Sequence, residues 1–290
     1  MNYLLRRKGS GKETCEAISS FSKSGLKVIR NDKKIPAETS TIIRWGCTTP
    51  LPPLSIINSG VAINRVSDKT LFRQIVKGHS PHLIPGTWFD FKHVPSYVLE
   101  KGVITRPRRH QEAKHLYFCK GDYEKLEKDC HYCGEGYYIS EFIPKVAEYR
   151  VSCIQGKVNW VARKFPDNPD DIAWNNAEGG HFHNVRWKEW PLDMIKTSLE
   201  VFNLSELDFG AVDTIIDSEG HSFVLEINTS MMITSEYRQK CMAACFDYMI
   251  KNGSEKLPIT NDGKGYGAYL HPAIKLMNVE KVDDGLPEAN

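Results

Sequence analysis

Asp213, Glu226 and Asn228 carry side-chain oxygens at a spacing that can bring all three to one face of a strand pair. The apolar-rich stretches 207–217 and 222–230 flank Ser218-Glu219-Gly220, a turn signal. If Asp217 pairs with Ser222, Asp213 falls opposite Glu226, and Asn228, two residues on, shares their face. The same register turns Val212, Ile216, Phe223, Leu225 and Ile227 to the opposite, buried face. Two carboxylates directly opposite on a sheet, with Cβ atoms about 4.5–5.5 Å apart, repel unless a positive charge lies between them. They could instead be two solvated strand residues. Asn228 adds a neutral oxygen, and carboxylate plus amide oxygen suits Mg²⁺ (or Mn²⁺) better than Zn²⁺. Magnesium held by few protein oxygens completes its shell with phosphate and water, so this set implies a nucleotide.

Other chemistry-bearing segments are weaker. The basic stretch 106–114, with Arg106, Arg108, Arg109 and His110, reads as a solvated loop, a nucleic-acid patch or a grip for a small anion. Against nucleic acid stands the balance of 38 basic and 36 acidic residues, a formal charge of only +2. Gly9-Ser10-Gly11-Lys12 resembles a phosphate loop only superficially, since Arg6 holds the first glycine position and Glu13 stands where Ser or Thr should ligate magnesium. It reads as a loop after a first strand, Tyr3 to Arg7, with approach to a substrate from the side as the alternative. His181 and His183 are expected to be ordinary loop histidines. The eight cysteines are read as thiols, with zinc at Cys130 and Cys133 the minority reading.

The elements that must position these residues follow from pattern. Residues 1–57 read as strand, helix, strand, with Thr41 to Trp45 as the second clear strand and a Pro-rich turn at 50–53. Ser67 can cap a helix running to Lys77, with Leu71, Ile75 and Val76 at helical spacing. Strands from Val103 to Pro144 suit a lid. Tyr149 to Phe165 reads as a hairpin around Gln155-Gly156. Pro191 to Leu204 starts with proline at N1 and puts Leu192, Ile195, Leu199 and Phe202 on one stripe, and 235–251 is a buried helix. A chain of 290 residues with 41% hydrophobic content can build a large core. No apolar run approaches the roughly 20 residues of a membrane span, and MNYLLRRKGS lacks a signal-peptide core, so a soluble, cytoplasmic protein is expected.

Taken in order, these motifs resemble the ATP-grasp superfamily, specifically its carboxylate-amine ligases, the branch of ribosomal-protein glutamate ligase and glutathione synthetase. Phe209-Gly210-Ala211-Val212-Asp213 followed by Glu226-Ile227-Asn228 resembles the family's metal-binding end. NSGVAINRVSDK, from Asn58 to Lys69, resembles the helix whose Asp-Lys pair precedes the nucleotide domain. VITRP (Val103 to Pro107) resembles the strand with a phosphate-binding lysine before proline, and YISEFI (Tyr138 to Ile143) the hinge that holds adenine through its backbone. Arg106 replaces the lysine, and Arg108-Arg109-His110-Gln111 replaces a Gly-rich loop; an arginine fork still suits phosphate. The Arg106-Pro107-Arg108 variant is similar to that of small phage-encoded members. Asn175 with Gly179-Gly180 is similar to a segment of the amide-forming members.

The resemblance implies an α+β / α/β ATP-grasp fold: a shortened preceding domain over 1–57, a central and lid subdomain over 58–145, a metal-binding subdomain over 146–253, and a C-terminal arm over 254–290. It implies ATP bound by Lys69, Arg106, Arg108, the hinge Glu141, Phe142 and Ile143, and Glu148 at the ribose. Asp213, Glu226 and Asn228 would hold Mg²⁺, and Arg150, Arg163 and Asn175 would stabilise developing negative charge. The implied reaction is ATP-dependent joining of a small-molecule or peptide carboxylate to an amine. A phosphotransferase on the same scaffold and a nucleotide-binding module without turnover are the alternatives.

Overall fold

The computed structural model describes residues 1–110, 115–168, 170–174, 180–186 and 189–253. Chain order begins with β1 (Asn2–Arg6), α1 (Lys12–Phe21), β2 (Leu26–Arg30), β3 (Thr41–Trp45) and β4 (Ser55–Ile57), which form a parallel sheet in the order β2-β1-β3-β4. Sequence pattern located β1, α1 and β3; β4 is only three residues long, and β2, as long as β1 and β3, buries only Leu26 fully and so lacks their continuous apolar signal.

Two helices follow, α2 (Gly60–Ser67) and α3 (Lys69–His79). Ser59 caps α2 by accepting the Ala62 N–H. Asp68, not the expected Ser67, caps α3 by accepting the Leu71 N–H at 3.1 Å. The buried stripe of α3 is Phe72 and Val76, with Lys69 and Arg73 beside them, while Leu71 is exposed. A second sheet, antiparallel and ordered β5-β8-β6-β7, comprises β5 (Thr87–Trp88), β6 (Val103–Pro107), β7 (Tyr117–Cys119) and β8 (Tyr137–Glu141). It packs its own small core with α4 (Ser96–Lys101) and α5 (Tyr123–Tyr132). The α5 helix lies where strands alone were expected; Asp122 caps it, and Cys130 on its inner face is fully buried, its thiol pushed up to about 12 by burial.

The largest sheet is antiparallel, ordered β11-β10-β9-β12-β13, from β9 (Lys145–Ile154), β10 (Lys157–Phe165), β11 (His181–Val185), β12 (Phe209–Asp217) and β13 (Ser222–Asn228). His181 and His183, expected in a loop, lie on edge strand β11, where His183 packs on Phe165 and His181 pairs with Asp167. One face of this sheet buries Val151, Val161, Val212, Val224 and Ile227 against α2, α3 and α6 (Leu192–Asn203). The stripe of α6 is Ile195, Leu199 and Phe202 as expected, whereas Leu192 is exposed. The other face packs Trp160, Phe209 and Ala211 against the first sheet and α7 (Glu236–Asn252), where Trp45, Phe209 and Phe246 meet ring to ring.

Three register shifts decide which side chains share a face: one between β9 and β10, one between β12 and β13, and one at the start of β9, where Ile216 pairs with Ala147 but Asp217 with Lys145. Near the β9–β10 turn, where Gln155 and Gly156 both take positive φ, Ile154 pairs with Lys157 and Cys153 with Val158. Beyond Asn159 the pairing steps by one, so Ser152 meets Trp160 and Arg150 meets Ala162. In β12–β13, Ile216 pairs with Ser222 rather than the expected Asp217, and an extra residue, Leu225, restores the expected pairing of Asp213 with Glu226. Val224 therefore takes the core face, in place of the expected Phe223 and Leu225.

The parallel sheet reaches the metal-type residues at one tight point. Gly46, just past β3, has φ +67°, and a Cβ there would lie 2.5 Å from that of Ser230, two residues beyond Asn228. Gly46→Ala is expected to cost about 1–3 kcal/mol by combining left-handed strain with overpacking. Adding Ser230→Gly should return only the packing part, a difference that urea unfolding of the single and double variants measures.

Candidate functional site

One row of cross-strand partners runs Asn184, Ala162, Arg150, Asp213, Glu226 across the five strands, and the next runs Phe182, Lys164, Glu148, Ile215. Directly opposed residues share a face, so these side chains meet on the surface opposite α6. Arg150 forks onto Asp213, with Nε to Oδ1 and Nη2 to Oδ2 both at 2.8 Å. Lys164 bridges Asp213 Oδ2 at 3.0 Å and Glu148 Oε1 at 2.6 Å, and Lys145 reaches Glu148 Oε2 at 2.5 Å. The Asn228 amide donates to Asp213 Oδ2 at 3.1 Å and Glu226 Oε1 at 3.2 Å. Lys69 donates to the Ile227 carbonyl at 2.9 Å and lies 3.5 Å from Glu226 Oε2.

These neighbours hold both acids ionised. Burial alone would raise Asp213, but Arg150 and Lys164 outweigh it and hold its carboxyl below the usual range. Burial opposes Glu226 ionisation too, and Lys69, Arg106 and Lys164 drive it well below the carboxylate norm. Asp213, Glu226 and Asn228 thus converge within hydrogen-bond distance of one amide as two carboxylates and a side chain whose half-turn presents an oxygen. That hard-oxygen set fits a divalent cation of the magnesium type.

Beside the carboxylates lies a cavity of about 270 Å³, walled by Ile104, Phe142, Ile143, Trp174, Ile215 and Leu225. Leu225, the bulged residue, forms part of this wall instead of the core. Lys145 stands at the cavity, 4.6 Å from the Trp174 ring. Glu141, Phe142 and Ile143, the residues expected to form the adenine hinge, line it, and the N–H groups of Glu141 and Phe142 are committed to the carbonyls of Gly86 and Gly102. Arg73 underlies the site, donating to the Leu225 carbonyl at 2.9 Å and stacking 4.5 Å from Tyr138. His110 bonds the Tyr138 hydroxyl at 3.1 Å, and burial with neighbouring Arg106 lowers it to about 3, so it is neutral.

Three expected site residues are placed differently. Arg163 pairs with Tyr149 and His183 in the opposite row, its guanidinium 4.9 Å from the Phe165 ring. The bulge at Asn159 is the cause: the turn-proximal register would have set Arg163 beside Glu148, and the one-residue step sets Lys164 there instead. Arg108 is spent on Asp68, donating from Nε at 2.5 Å, and so fastens the loop after β6 to the cap of α3. Glu148 is enclosed by two lysines at 4% exposure, which leaves it a poor partner for a ribose. Asn175 and Gly179 lie outside the described residues, as do residues 254–290. Sequence reading missed Lys145, Lys164 and Arg73; the alternation of Lys164 with Ala162 and Trp160 was the available signal for one of them.

No protein-family model matches the sequence, and no curated protein matches it. Solved structures do match. The macrocyclase MdnC from Microcystis aeruginosa MRC, bound with precursor peptide MdnA, is 16% identical with a TM-score of 0.60, over 87% of this chain and 100% of that one. The RiPP-associated ATP-grasp ligase of Chryseobacterium gregarium, in complex with ADP and a leader and core peptide, is 12% identical with a TM-score of 0.63, over 88% and 98%. D-alanine–D-alanine ligase from Bacillus anthracis, complexed with ATP, is 14% identical with a TM-score of 0.64, over 87% and 96%. The chain has the ATP-grasp fold. Nothing in these matches supports a phage origin. Among the described residues no helix is long and apolar enough to cross a membrane.

Removing Lys164 leaves Glu148 and Asp213 each short of a buried cation. Lys164→Met is therefore expected to destabilise by about 3–5 kcal/mol. Lys164→Met combined with Glu148→Gln should recover part of that loss, as read from a double-mutant cycle in urea.

Proposed function

We propose that the chain is an ATP-dependent ligase that activates a carboxylate as an acyl phosphate and joins it to an amine, releasing ADP and phosphate. The observation that carries this is the row Arg150, Asp213, Glu226 with Asn228, which sets two ionised carboxylates and an amide next to strand residues that wall a largely apolar cavity with Lys145 at its edge. The ATP-grasp fold supports it, since similar structures are a ligase complexed with ATP and ligases bound with peptides.

In this reading adenine occupies the cavity beside Leu225 and Ile215, with Ile143 offering its backbone N–H at the hinge. Lys69, Arg106, Lys145 and Lys164 face the polyphosphate, and Glu148 fixes the two lysines it touches. Asp213, Glu226 and Asn228 would hold Mg²⁺, which when bound supplies positive charge to phosphate oxygens. An oxygen of the substrate carboxylate attacks the γ-phosphorus, the bond to ADP breaks, and ADP leaves with the electron pair. The amine then attacks the acyl carbon, phosphate departs, and the amine loses a proton. Arg150, positioned by Asp213, offers its remaining guanidinium surface to the negative charge that develops on the acyl group. No nucleophilic Ser, Cys or His takes part. Peptides are the substrate class the similar structures suggest for the carboxylate or the amine.

ADP release, followed while peptides and amines are varied, tests the assignment. Amine-dependent release with amide formation is the expected result; a phosphorylated alcohol as product, or nucleotide binding without release, would overturn it. Asp213→Asn and Glu226→Gln should each lower turnover by roughly 10²-fold or more, and Arg150→Met by a similar factor. Arg163→Met, on the opposite face, should leave turnover within about twofold once folding is verified, so an equal loss would contradict the face assignment.

A further inference from the structure

The first turn of α7 places Arg238 on the site face of the large sheet at only 6% exposure. Its guanidinium lies 5.4 Å from the Trp160 ring, and Nη2 reaches the Phe182 carbonyl at 3.4 Å, while Nε is buried without a hydrogen-bond partner. The other charge that acts on it is another cation, Arg150; burial and that repulsion together pull Arg238 down to about 10. Buried charges are ordinarily paired, because an uncompensated one pays its full desolvation cost.

Its surroundings share the imbalance. Phe182 offers its carbonyl to Arg238 and its ring, at 4.9 Å, to Arg150. Asn184, in the row of Ala162 and Arg150, has both amide atoms buried without a partner. Ala162 separates Asn184 from Arg150 with a side chain of one methyl group. Two guanidinium groups and an unsatisfied amide thus surround a small residue on the side of Arg150 away from Glu226.

We propose that Arg238, together with Arg150 and Asn184, seats the carboxylate that receives the phosphoryl group, making Arg238 a substrate-binding residue contributed by the C-terminal helix. This rests on the ligase reading for its chemistry. The site itself is an oxyanion seat that takes a carboxylate before transfer and the acyl phosphate after it. Arg238 is distinct from Arg150 in having no carboxylate among its own partners, so its full charge is available to the substrate.

Acetyl phosphate is a suitable probe, titrated calorimetrically into the full chain alongside ADP with Mg²⁺. Arg238→Met should weaken acetyl phosphate by about tenfold or more, since a charge-assisted pair is lost, and Arg238→Lys should retain part of the affinity. The thermal midpoint of Arg238→Met should equal or exceed that of the parent chain, because an apolar side chain of similar length replaces an unpaired buried cation. A purely structural arginine would give the reverse: a lowered midpoint and unchanged acetyl phosphate binding. Equal affinity in Arg238→Met, or no binding by the parent chain at millimolar concentrations of about 10 mM, overturns the proposal. Binding of acetyl phosphate without binding of ADP would instead sink the nucleotide reading and leave the seat in place.

Discussion

Lys145, Glu148, Lys164, Asp213 and Arg150 form a buried chain of alternating charge across three adjacent strands, and each anion in it sits between two cations. None of these groups can be removed singly without exposing its neighbour to an uncompensated interior, because a desolvated charge interacts strongly at short range. The chain also demands one register. A slip of a single residue between β9 and β10 would send Lys164 to the α6 face and bring Arg163 among the carboxylates. The bulge at Asn159 therefore does more than bend a strand: it selects which of two consecutive cations enters the site.

That selection explains where sequence reading succeeded and where it stopped. Asp213, Glu226 and Asn228 were legible because period-two alternation and a Ser-Glu-Gly turn fix a hairpin almost unaided. The turn-end register was one residue off, and Leu225 absorbed the discrepancy, so the pairing at the site came out as expected while the core assignment of Phe223 and Leu225 did not. Arg163 was misplaced for the same kind of reason, since a bulge leaves no composition signal. Lys69 was named only through the resemblance of the Asp68-Lys69 pair; Ser67 is as good a capping residue as Asp68, and local propensity alone does not choose between them. Arg73 was invisible because its carbonyl partner, Leu225, lies far away in the chain, and Lys145 because a lysine three residues from Glu148 on a strand gives no sign of burial.

Asp68 links two parts of the structure that sequence treats separately. Its carboxylate caps α3 and also holds Arg108, while the Arg108 carbonyl accepts the Lys69 N–H at 2.9 Å. The loop after β6 is thereby tied to the helix that delivers Lys69 to Glu226. Lys69 from α3 and Arg106 from β6 both act electrostatically on Glu226, and Asp68 ties the segments that carry them.

Counting charge along the carboxylate row gives Lys69, Lys145, Lys164, Arg150 and Arg238 against Glu148, Asp213 and Glu226, a surplus of cations in the row itself, while the cavity wall adds the acids Glu141, Asp170 and Asp171. A surface that only had to be stable would pair them all or replace them with apolar side chains, which costs less. The surplus is concentrated on the two sides of the carboxylate row, at the cavity edge through Lys145 and beneath α7 through Arg238. Those are the two directions from which a polyphosphate and an acyl substrate would have to meet over Asp213. A polyphosphate and a carboxylate both bring negative charge, so binding either one relieves repulsion among the cations on its own side. In the proposed reading, part of the substrate affinity is held as unrelieved electrostatic cost in the folded chain, and the register shifts of the large sheet keep that cost aimed at a single point.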